Sequence, residues 1–237
     1  MNARTRSRLE MARRALEFAQ AHSDTSDGYT AAVGELVQLL ARSKQLADQH
    51  RRGIAEVRAA TQRKTNLRRS IRQGQLMHVA TVAQRAAREE PELAQKFALT
   101  RETAPYLAFQ SLARTVAAEA EGRRALLVKH GLVDSVLVSL TESLDRFDQA
   151  VARGAEGRRI HVAAAVELDV VSGEAVQIVR VMDGHNRVRF EGNPDLLAAW
   201  RSASNVIGPA RSGGRADGRT ESPSGTPPSE DAAKPAA

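Results

Sequence analysis

Apolar residues return at intervals of three and four along most of this chain, which is the signature of helices that bury one face. Leu9, Ala12, Leu16 and Ala19 set such a face, and the spacing predicts a helix over residues 3–22. The polar run SDTSDG at 23–28 reads as a turn, with Ser26 or Asp27 able to cap the next helix. Tyr29, Val33, Leu36, Val37 and Leu40 start a second stripe, which Ile54, Val57, Leu67, Ile71, Val79 and Val82 continue more thinly. No Pro interrupts the chain before Pro91. The pattern predicts either one helix from about 28 to 88 or two helices meeting near His50–Gly53. Gly34, Gly53 and Gly74 are candidate bend sites, because an interior Gly costs roughly 1 kcal/mol relative to Ala.

Residues 89–103 read as a turn and connector around Pro91. Ala104-Pro105 then opens a helix at whose first turn the missing Pro N–H is harmless. Leu107, Phe109, Leu112, Val116, Leu126 and Leu127 line it, and His130-Gly131 reads as its end. The clearest periodicity comes next, with Val133, Leu137, Leu140, Leu144, Phe147 and Val151 on one face. Gly154 and Gly157 read as a turn or kink. A second seam runs through Ile160, Ala164, Leu168, Val171, Ala175, Ile178 and Met182. The β-branched stretch 175–190 also fits a hairpin about Asp183-Gly184. The repeat through some 20 residues favours helix, with the hairpin as the alternative. Asn193-Pro194-Asp195 combines a cap, an N1 proline and an early acid, and starts a short helix carrying Leu196, Leu197 and Trp200.

Five to seven helices result, so the fold class is all-α: an antiparallel up-and-down bundle of long helices, with a basic helix projecting from it. Composition agrees, for 41 of 237 residues are Ala and eight are aromatic. It also sets a boundary. Residues 208–237 hold five Gly, five Pro and four Ser, and no Val, Ile, Leu or aromatic. Such a segment buries too little apolar surface to offset its ordering entropy. The expected domains are a helical bundle at 1–207 and a disordered Pro/Gly/Ser/Ala-rich tail at 208–237, whose deletion should leave thermal unfolding unchanged.

Candidate chemistry is sparse. The absence of Cys removes disulfides, thiolate ligands and thiol nucleophiles. His22, His50, His78, His130, His161 and His185 are scattered, and no Glu is followed by His three residues on, so a di-iron helical site is not encoded. No phosphate-binding glycine motif and no Gly-x-Ser-x-Gly elbow occurs. The acidic pairs Glu89/Glu90 and Glu119/Glu121 sit where solvated helix faces are expected. We expect no enzymatic activity and no cofactor or metal. No 18-residue uncharged apolar run occurs, so no membrane span is expected either, and the reading is a cytoplasmic protein.

The charge distribution is more informative. The net charge of +7 sits within 22 residues, where Arg51, Arg52, Arg58, Arg63, Lys64, Arg68, Arg69 and Arg72 face one acid, Glu56. Arg outnumbers Lys 30 to 5 and Ala is abundant, so part of the basic excess is compositional. At about 100° per residue these eight point nearly all round the helix. Residues 30–96 contain no aromatic on which bases could stack. Two functional readings emerge. The first is a structural or interaction protein that binds a protein partner, or self-associates in coiled-coil fashion, through its helix faces. The alternative is a basic accessory protein that binds nucleic acid, or another anionic surface, through 51–72.

Overall fold

The computed structural model describes residues 1–99 and 105–206, which contain eight α-helices, one π-helical segment and no strand. The tail expected after residue 207 and part of the 89–103 connector lie outside them. Helix α1 (Ala3–Ala21) is capped by Asn2, whose side chain accepts from the Thr5 N–H at 2.7 Å. Helix α2 (Asp27–Ser70) runs through His50–Gly53 without a break. Ser26 occupies its N-cap position but its side chain accepts no cap bond; Asp24 accepts from the Ser26 N–H at 2.7 Å instead. A π-helical segment (Ile71–Leu76) joins α2 to α3 (Met77–Ala86). Short α4 (Leu93–Lys96) is followed by α5 (Tyr106–Gly122) and α6 (Arg124–Lys129). The single helix expected from Pro105 to His130 is thus interrupted at Arg123, while Gly131 ends α6 with φ at 107° as the His-Gly signature requires.

Helix α7 (Asp134–Arg189) is 56 residues long and corrects one reading. Gly154 and Gly157 lie inside it and break it at neither position, while 175–189 is helix, the reading the repeat favours, rather than hairpin. The two apolar seams are one seam. Helix α8 (Pro194–Ser204) starts as expected, with the Asn193 side chain accepting from the Leu196 N–H at 3.1 Å.

The architecture is an antiparallel pair of long helices thickened at both ends. Tyr29 meets Asn186, Arg42 meets Glu167, Gly53 meets Gly157, and Gln75 meets Ser143, so α2 and α7 run side by side throughout. The basic segment is therefore paired along its length and does not project. Buried α2 residues Tyr29, Ala32, Leu36, Ser43, Leu46, Gly53 and Ala60 follow steps of three, four or seven, the spacing of a left-handed wound seam. The π segment shifts this phase. Ile71 and Leu76, five apart, are both buried, which an undistorted α-helix would place on different faces.

At one end α1 and α8 pack on the pair. Met11, Ala15, Phe18, Tyr29, Leu36, Met182, Phe190 and Trp200 form that lobe's core. The fully buried Trp200 donates its indole N–H to Asp183 Oδ1 at 2.9 Å, and Phe18 lies tilted against it with ring centroids 5.3 Å apart. At the other end α3 to α6 enclose a second core that includes Ile71, Val79, Leu93, Phe109, Leu127, Leu140 and Phe147. The acidic pairs read as solvated faces form surface ion pairs here. Glu89 meets Lys129 at 2.8 Å and His130 at 3.0 Å, Glu90 and Glu119 meet Arg123, and Glu121 meets Arg124 at 3.2 Å. The Lys129 hydrogen bond holds the Glu89 carboxyl below its usual range. Between the lobes α2 and α7 pack on each other, and the Met1 amino group reaches this stretch at His50 Nε2, 3.1 Å away.

Candidate interaction face

This waist is narrow because its seam residues are small. A Cβ on Gly53 would stand 2.7 Å from the Gly157 carbonyl oxygen and 2.8 Å from the His161 nitrogen. One on Gly157 would lie 2.9 Å from the Gly53 carbonyl oxygen. One on Gly154 would meet the Ala60 Cβ at 3.3 Å, a tight contact. Backbones this close cannot accept side chains between them, so glycine is needed at the crossing.

α1 and α5 both lie on one side of the α2–α7 pair. α5 reaches it through Thr65, Asp145 and Asp148, and α1 through Asp169, to which Thr5 Oγ1 donates at 2.9 Å. The opposite side is open, and three grooves lie along it. Arg63, Leu67, Ser70, Arg146, Ala150 and Arg153 line one of about 380 Å³. Arg52, Gly53, Glu56, Ile160, Ala163 and Glu167 line the next, of about 590 Å³. Glu35, Leu39, Arg42, Glu174 and Ile178 line the third, of about 460 Å³. Their walls recur every seven residues, from Arg63 through Glu56, Gln49 and Arg42 to Glu35, and from Arg146 through Arg153, Ile160 and Glu167 to Glu174. The grooves are thus successive sections of one face, roughly 50 Å long at about 1.5 Å per residue. Its floor is apolar and its rims are charged.

The structure splits the eight basic residues found in the sequence. Arg52 and Arg63 stand on the open face, Arg63 facing Glu56 at 3.8 Å. Lys64 and Arg68 lie over the Tyr106 ring on the α5 side, at 5.0 and 5.6 Å from its centroid. Arg51 pairs with Asp48 one turn away, Arg58 and Arg69 are exposed or nearly so, and Arg72 is half-buried. What sequence reasoning misses is the contribution of α7. Arg146 and Arg153, seven residues apart, converge with Arg63 on a groove whose lining also offers Asn66 and Gln149 and no carboxylate. The missed signal is that interval of seven, which has meaning only once α7 is known to lie against α2.

Charge is uneven along the face. Arg146 has a loose neighbour in Glu142 at 3.7 Å, and Arg153 has no ion pair among the described residues. Glu35 and Glu174, at the far end, have none either, whereas Arg42 there is held by Glu167 at 2.7 Å. His50 and His161 stack edge-on at the waist, 5.9 Å between centroids; burial, then the nearby amino terminus, pushes His50 down from its usual pKa. Among the described residues no group of three or more His, Asp or Glu is placed to hold a metal ion, and no helix is long and apolar enough to cross a membrane. No family model matches the chain, and neither a curated protein nor a solved structure is detectably similar to it.

Proposed function

We propose that this is a non-enzymatic interaction protein, which engages another polypeptide through the open face of the α2–α7 pair. One observation carries the reading: the face opposite α1 and α5 has an apolar floor of Leu39, Ile178, Gly53, Ala164, Leu67 and Ala150 between largely charged rims. A groove of this form accepts helices, whose side chains enter at the same repeat. The test places a photoreactive side chain at exposed Ala163, on the open face, or at exposed Ala118, on α5. Intermolecular adducts in cells at 163 that are absent at 118 are expected. Adducts at neither position, or equally at both, overturn the reading.

A second reading, nucleic-acid binding, draws on a separate observation, the convergence of Arg63, Arg146 and Arg153 without a lining carboxylate. Phosphate contacts release counterions, so such binding falls steeply with salt. Anisotropy of a random-sequence duplex at two salt concentrations tests it, beside a variant with these three arginines changed to Gln. Salt-sensitive binding that the variant loses is the expected result, and no binding at low salt rejects it.

A further inference from the structure

We infer that the occupant of the open face is a second copy of this chain, laid face to face and antiparallel about a two-fold axis that passes between Arg52 and Glu56 on α2 and near Ala163 on α7. The inference rests on the interaction reading above and names its partner. It comes from the order of charges along the groove. One end presents Arg63, Arg146 and Arg153 and no lining carboxylate; the other presents Glu35 and Glu174, which carry no ion pair among the described residues, beside Arg42, whose charge Glu167 offsets at 2.7 Å. The middle presents Arg52 beside Glu56.

A two-fold axis perpendicular to the helices and parallel to the face places the cationic end of each copy over the acidic end of the other. In that arrangement α7 crosses α7 of the second copy with residue 162 near the axis. Glu174 of the second copy then falls opposite the stretch between Arg146 and Arg153. At the axis, Arg52 of each copy meets Glu56 of the other. A parallel alignment would instead set the three arginines against themselves, which like-charge repulsion disfavours. Such self-complementarity is what an isologous interface requires and what an unrelated partner would not impose. The size also suits a dimer. A face roughly 50 Å long and two helices wide is comparable to the ~800 Å² per partner that a stable protein interface buries.

The chain contains no Cys, so introduced thiols report contacts without background. Light scattering should give twice the 25.6 kDa chain mass. With a short bis-maleimide, A163C should cross-link to itself. S70C alone and E35C alone should not, but the two proteins mixed should. E174R should weaken the dimer at least tenfold, and mixing it with R146E/R153E should restore association. Circular dichroism of each variant separates lost association from lost folding. A monomer at about 100 μM overturns the inference, and so do E35C–E35C and S70C–S70C products. The photoreactive side chain at 163 separates the two levels. Adducts with a different protein leave the interaction reading standing and remove the second copy; no adduct at all removes both.

Discussion

The α1/α8 lobe and the waist are built from the same two helices and are held by opposite means. In the lobe α1 and α8 pack on α2 and α7 around large side chains, Trp200, Phe18, Phe190 and Met182 among them. In the waist the same helices close to backbone contact at Gly53 and Gly157. Stability in the lobe comes from apolar area removed from water. In the waist it comes from dispersion between closely fitted backbones, which leaves both flanks exposed. One region teaches how a helix pair is anchored, the other how it is left open for contact.

The largest expected effect lies in the lobe. Trp200→Ala removes a fully buried indole and should cost about 3–5 kcal/mol, measured by denaturant unfolding. A cost below about 1 kcal/mol would mean that Trp200 does not organise this end. The waist should respond to addition rather than deletion. Gly157→Ala gains helix propensity but forces a Cβ to 2.9 Å from the Gly53 carbonyl oxygen, so a net loss of about 1–3 kcal/mol is expected. A neutral or stabilising Gly157→Ala would show that the helices stand further apart.

A smaller effect should appear in acid. Asp24 accepts from the Ser26 N–H and meets His185 and Arg189, each at 3.2 Å. The Ser26 bond first, then His185, lowers its pKa to about 2. A carboxyl whose folded pKa is depressed adds stability above its unfolded value near 4, and loses it as pH falls towards 2. Asp24→Asn should therefore flatten the fall of Tm between pH 4 and pH 2, leaving the rest of the acid limb in place. The smallest effect is a gain. Gly184 lies in α7, and a methyl group added there would meet nothing within 4 Å, so Gly184→Ala should stabilise by up to about 1 kcal/mol. The opposite signs at Gly157 and Gly184, on one helix, are the sharpest form of the contrast between crossing and lobe.

Much of this was legible from residue order. The helical class, the α8 start at Asn193-Pro194 and the His130-Gly131 stop all obey local rules that hold without tertiary contacts. The continuity of α7 was not, because glycine serves both as a helix break and as a close-contact residue, and only the neighbouring backbone tells them apart. The thin appearance of the α2 seam has the same origin, since Ser43, Gly53 and Ala60 are seam residues that an apolar count passes over. The π segment was written in the five-residue step from Ile71 to Leu76, a spacing that a search for threes and fours discards. The face itself could not be read. Arg63 and Arg153 are 90 positions apart, and their convergence depends on the register of two helices.

That register has a consequence for how such a molecule changes size. Because α2 and α7 are wound together on a seven-residue beat, removing or adding seven residues in both would shorten or extend the waist by about 10 Å. Each lobe would keep its register on the pair, turned by only roughly 25° about the pair's axis, and the walls of the open face would keep their order. The distance between the lobes is thus a quantity that insertions can set in whole steps, like the rungs between two fixed ends of a ladder.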